Sequence, residues 1–136
     1  MLFRSPQAYA KIIEGEIALK NGDARQAIKI LTEANASLDT WLGHFDLGRA
    51  YLEVPAFAQA DAELERCLRR RGEALSLFAD EEPTYGHFPT VYYYQGRVRE
   101  GLNNAGVAES YRAYLAIRGK SSEDPLLPEV RRRAGR

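Results

Sequence analysis

A single cysteine, Cys67, and two histidines, His44 and His87, are the side chains best suited to nucleophilic or metal-assisted chemistry. A reactive thiolate needs a base or cation beside it, and structural or catalytic zinc takes ligands in short paired spacings. These three residues stand 23 and 20 positions apart, without any such pairing. Cys67 falls on the inner stripe of a helical pattern, where a free cysteine packs as a small hydrophobe. His44 sits on the buried side of its own helix, and His87 lies in a run of helix breakers. Carboxylates are many, but on helical surfaces any two come near each other, so their pairing carries no signal. No enzyme constellation emerges, and neither metal nor cofactor is expected. The chemistry on offer is recognition: arginines that grip carboxylates through parallel hydrogen bonds, and aromatic side chains of the type that anchor interfaces.

The elements that position those groups repeat. Three times a glycine is followed twelve residues later by an alanine: Gly15 and Ala27, Gly48 and Ala60, Gly96 and Ala108. The glycines are 33 and then 48 residues apart. Around the middle pair the chain reads Leu47-Gly48-Arg49-Ala50-Tyr51 and Ala60-Asp61-Ala62-Glu63-Leu64, the pattern of a 34-residue helix-turn-helix repeat. The glycine lets the first helix lie against its neighbour with no side chain between them, and the alanine does the same on the second.

Length and charge agree with such a stack. Three repeats and a cap fill most of 136 residues, and three is about the fewest that bury their apolar faces against one another. Nineteen basic residues balance nineteen acidic ones, so no basic field draws in a phosphate backbone, and nucleic acid is not the expected partner. No run reaches the roughly 18 apolar residues of a membrane helix, and the start Met1-Leu2-Phe3-Arg4-Ser5-Pro6 lacks a signal-peptide stretch. With one cysteine and no intramolecular disulfide, the expected location is the cytoplasm.

Ser5-Pro6 reads as a helix start, and Asn21-Gly22-Asp23 as the turn that ends that helix and caps the next. A second pair opens near Asp39 or Thr40 and breaks at Val54-Pro55. Its second helix continues the stripe Leu64, Cys67, Leu68, Ala74, Leu75 and Phe78, which predicts one long helix to about Ala79, kinked at Gly72. A loop follows over about 80–89, with Arg69-Arg70-Arg71 balanced against Asp80-Glu81-Glu82. The third pair spans about 90–117, and a cap helix about 125–135 covers the last repeat. The repeats thus run about 6–38, 39–80 and 89–118 in a single domain.

On these residues the chain resembles a tetratricopeptide repeat domain over about residues 6–118. The match is closest in the second repeat. In the first, Glu14 and Ala18 replace the usual Leu and Tyr; in the third, Arg99 replaces the tyrosine and Tyr111 comes one residue early. A narrower stretch, from Arg71-Gly72-Glu73-Ala74-Leu75 through Glu82-Pro83-Thr84-Tyr85-Gly86 to Tyr92-Tyr93-Tyr94-Gln95-Gly96-Arg97, is similar to the repeat-bearing C-terminal regions of bacterial signalling proteins such as kinases and transcriptional regulators. The resemblance implies an all-α, right-handed superhelix of three helix pairs with a C-terminal cap. It also implies a concave groove lined by the first helices. Helical spacing then places Ile12, Glu16 and Leu19; Phe45, Arg49 and Leu52; and Tyr93, Arg97 and Glu100 on that surface. The expected function is non-catalytic: a peptide or partner helix held in the groove, its acidic group on Arg49 and Arg97 and its apolar side chain between Phe45 and Tyr93. The chaperone-tail clamp of the family is not matched, because Ile12, Glu16, Asp46, Thr90 and Tyr94 stand at its positions. The alternative is a homo-oligomerisation module built on the aromatic cluster Tyr85, Phe88, Tyr92, Tyr93 and Tyr94.

Overall fold

The computed structural model describes residues 4–76, 88–121 and 123–135, and every regular element among them is a helix. Helix α1 (Arg4–Lys20) starts slightly ahead of Ser5-Pro6, leaving Pro6 in its first turn. It ends where Gly22 takes φ +81°, a conformation that costs glycine little. Asp23 then accepts from the Gln26 N–H at 3.1 Å and caps α2 (Ala24–Ser37). Thr40 does the same for α3 (Trp41–Glu53), its hydroxyl accepting from the Gly43 N–H at 2.9 Å.

Val54-Pro55 ends α3, and α4 follows (Phe57–Arg69). The expected long helix is broken. The chain leaves helical geometry at Arg70, two residues before Gly72, and a separate short α5 (Arg71–Ser76) follows. The break has a side-chain cause: the Arg70 guanidinium turns back to bond Asp39 at 2.6 Å and Glu73 at 2.6 and 2.7 Å. Arg70 is therefore balanced by those two carboxylates. The acids proposed to balance it, Asp80-Glu81-Glu82, lie outside the described residues, as do Phe78, Ala79, Tyr85 and His87 and most of the predicted 80–89 loop.

Helices α6 (Phe88–Gly101) and α7 (Val107–Arg118) form the third pair, and α8 (Leu127–Ala134) closes the chain with Pro128 in its first turn. Helix α1 packs on α2, α3 on α4 and α6 on α7. Each later first helix also packs on the second helix before it, α3 on α2 and α6 on α4, while α8 packs on α7. The first helices touch in series, α1 with α3 and α3 with α6, and so form one layer.

The repeated glycines do what their spacing predicts. A Cβ on Gly15 would lie 2.7 Å from Leu31 Cγ, one on Gly48 3.0 Å from Leu64, and one on Gly96 2.4 Å from the Tyr111 ring. Ala27 and Ala60 are fully buried across from them, and Ala108 is half-buried. One apolar core runs from Ile12 and Leu31 through Trp41, Phe45, Leu64 and Cys67 to Val91 and Val98. A smaller one, of Tyr93, Tyr111, Tyr114, Leu127 and Val130, lies under α8. Among the described residues no helix is long and apolar enough to cross a membrane.

Candidate functional site

The layer formed by α1, α3 and α6 carries all the predicted groove positions, in two tiers. The apolar ones form a floor: Ile12 and Phe45 are buried, as are Leu52 and Tyr93, while Leu19 is half-buried. Phe45 stacks on Trp41 with ring centroids 5.3 Å apart. Tyr94 stands edge-on to Phe45 at 5.7 Å and to Tyr93 at 5.0 Å. The apolar slot expected between Phe45 and Tyr93 is thus already filled by the intervening tyrosine. Phe88 and Tyr92 join the same aromatic run, Phe88 lying 6.3 Å from Trp41 and 5.7 Å from Tyr92. Of the aromatic cluster, Phe88, Tyr92, Tyr93 and Tyr94 thus pack on one another and on Trp41 and Phe45.

The polar positions lie above this floor and engage one another. Arg49 Nη1 donates to Asp46 Oδ1 at 3.1 Å, and its guanidinium lies 5.8 Å from the Phe45 ring centre and 5.5 Å from that of Tyr94. Asp46 is fully buried. Burial, and then its hydrogen bond and repulsion with Glu16, push the Asp46 carboxyl well above the usual carboxylate range against the pull of Arg49. As a carboxylate, Asp46 Oδ2 has no donor in reach. Glu16 and Arg49 therefore bear on the Asp46 carboxyl in opposite directions, Glu16 opposing its charge and Arg49 favouring it.

In the third pair the cap helix reaches over the layer. Tyr93 Oη donates to Glu129 Oε1 at 3.0 Å, and Arg133 bonds Glu129 at 2.9 Å and Glu100 at 2.5 Å. Tyr111 Oη also donates to Glu100, at 2.8 Å, so Glu100 is committed inside the fold. Arg97 is different. It donates to Tyr93 Oη at 3.0 Å and lies 5.9 Å from that ring's centre, yet no carboxylate stands within ion-pair distance among the described residues. It opens on a cleft of about 510 Å³ shared with Leu52, Glu53, Pro55, Phe57, Glu100, Gly101 and Arg133. At its edge Gly101 lets the Phe57 ring come close: a Cβ there would fall 2.3 Å from it.

Helical spacing brings these positions to one layer and misses what crosses it. Asp46 had a signal, since a carboxylate stands where the other repeats have Ile13 and Tyr94. Glu129 and Arg133 had none, because nothing in a local pattern tells which way a cap helix turns its charges.

The histidine expected to pack has a second role. His44 is buried, with Nδ1 2.5 Å from Glu63 Oε2 and Nε2 2.8 Å from Asp39 Oδ1. Burial disfavours its charge, but the bonds and attraction of Glu63 and Asp39 prevail and raise its pKa above the ordinary 6.5. The charged imidazole thus ties α4 to the α2–α3 turn. This contribution is complete below pH 6.5 and fades as pH rises through the raised folded value. His44→Gln is expected to cost about 1.5 kcal/mol at pH 6 and less at pH 8.5, read from urea denaturation at both pH values. An equal cost at both would show the imidazole is neutral throughout. Cys67 is inert by contrast: burial pushes its thiol far up. Among the described residues no three His, Cys, Asp or Glu side chains gather as a metal site.

No protein-family model matches the chain, and no curated protein matches its sequence.

Proposed function

We propose that this chain is a non-catalytic interaction module of the tetratricopeptide type, holding an acidic peptide segment in the cleft at Arg97. One observation carries the reading: Arg97 is held in place by Tyr93 beside an open cleft and lacks a carboxylate of its own among the described residues. An arginine fixed in this way loses little freedom when it forms a two-pronged bond to a carboxylate, and Leu52 and Phe57 supply apolar contact beside it. The right-handed superhelix, with α1, α3 and α6 on its concave side, and a cytoplasmic setting belong to the same proposal. Arg49 now has a structural part, because its guanidinium bonds buried Asp46. A homotypic contact through Phe88, Tyr92, Tyr93 and Tyr94 has less support, since those rings pack on Trp41, Phe45 and one another.

The test is fluorescence anisotropy with a labelled set of acidic hexapeptides that carry one aliphatic or aromatic residue. Arg97→Ala should weaken binding about tenfold, the scale of one charge-assisted pair, without lowering Tm. Added salt should narrow the difference. Equal affinity of wild type and variant would remove the cleft from consideration.

A further inference from the structure

Aligning the first helices on Gly15, Gly48 and Gly96 sets Ala10 with Gly43 and Val91, Ile13 with Asp46 and Tyr94, and Ile17 with Ala50 and Val98. In the second and third pairs these positions face the pair before: Gly43 meets Asn35 of α2, Asp46 feels Glu16 of α1, and Tyr94 stands edge-on to Phe45 of α3. Gly43, Asp46 and Ala50 are buried, as are Val91 and Val98, and Tyr94 is half-buried. The approach is close: a Cβ on Gly43 would fall 2.1 Å from Asn35 Oδ1 of α2. In α1 the same positions face outward. Ala10 is exposed, and Ile13 and Ile17 are 56% and 54% exposed. Pro6, Ala10, Ile13 and Ile17 follow the 4-3-4 spacing of a helix–helix seam.

The other end of the stack is finished differently. Helix α8 covers α7 and exposes Arg131 and Arg132. Polar outer faces are what terminal units of helical stacks require, and α8 has one where α1 has a pair of isoleucines.

We propose that the outer face of α1 is a docking surface for an amphipathic helix with a stripe of small and aliphatic residues, the second helix of a further helix pair seated as α2 is on α3. The argument is continuity: the face that is buried at two successive pair-to-pair interfaces recurs on α1 as exposed Ala10, Ile13 and Ile17. A second copy fits less well. Head-to-tail contact would set the α8 arginines on Ile13 and Ile17. An antiparallel α1 pair centred between the isoleucines would bring Glu14 near Glu14, and Glu16 near Glu16, of the other copy.

A copy of residues 6–38 fused directly ahead of Pro6 supplies such a pair at the natural 33-residue spacing. The fused protein is expected to melt about 5 °C above the unfused chain. Ile13→Glu with Ile17→Glu in the original α1 should abolish that gain while leaving the unfused chain's Tm unchanged. No gain on fusion, or a gain that survives the glutamates, overturns the proposal. So does a dimer of the unfused chain in sedimentation equilibrium that the glutamates dissolve, because the face would then belong to a second copy.

Discussion

Gly96→Ala is expected to lower stability by about 3 kcal/mol, seen as a fall of about 10 °C in Tm by circular dichroism. The new methyl would stand 2.4 Å from Tyr111 Cε1 and 2.6 Å from Cζ, so something must move. The ring has nowhere to go. Tyr111 is fully buried, and its hydroxyl is tied to Glu100, which Arg133 of the cap helix holds in turn. Relief therefore means separating α6 from α7 and loosening α8 with them. Gly15→Ala and Gly48→Ala meet the ends of Leu31 and Leu64, at 2.7 and 3.0 Å, and aliphatic ends change rotamer more cheaply than a tethered ring. Their cost should be roughly half as large. Gly72→Ala is the control: nothing lies within 4 Å of its Cβ position, and alanine in a helix gains up to about 1 kcal/mol over glycine. A Gly96→Ala loss no larger than that of Gly48→Ala would mean that the third pair is not clamped by Tyr111.

These glycines show what the sequence makes legible. A close helix crossing needs a residue without a side chain, and it needs one at every repeat, so the requirement appears as a spacing. Caps are legible for a similar reason: Asp23 and Thr40 bond backbone N–H groups three residues ahead, a purely local event. Arg70 is the contrary case. The apolar stripe runs through it without interruption, and the helix breaks because its guanidinium prefers Asp39, 31 residues away in the chain, and Glu73. The candidate site divides along the same line. Helical spacing brings Phe45, Arg49, Tyr93 and Arg97 to one layer. Which of the two arginines keeps its charge available depends on Asp46, Glu129 and Glu100, whose pairings are made between helices. Two arginines with the same repeat position therefore part company, Arg49 into the fold and Arg97 to the cleft.

That division makes Arg49 the more damaging arginine to lose. Arg49→Met should cost about 3 kcal/mol at pH 8, the scale for stripping one partner from a buried pair, because Asp46 is fully enclosed and keeps only Glu16 beside it. The cost should shrink at pH 5. The Asp46 carboxyl is raised in the folded state, so its stabilising contribution is complete below the ordinary 3.8 and is lost as pH rises through the folded value. Without the guanidinium nothing opposes that rise, and the folded protein holds the Asp46 proton to still higher pH. At pH 5 that proton does in the variant what the cation helps to do at pH 8. Asp46→Asn tests this directly, since an amide supplies a permanent donor for Glu16 and an acceptor for Arg49. Combined with Arg49→Met it should recover about 2 kcal/mol at pH 8 and little at pH 5. Guanidinium denaturation of the four proteins at both pH values gives the coupling. A cost of Arg49→Met that is the same at pH 5 and pH 8 would mean that the Asp46 carboxyl takes up no proton in the variant over that range.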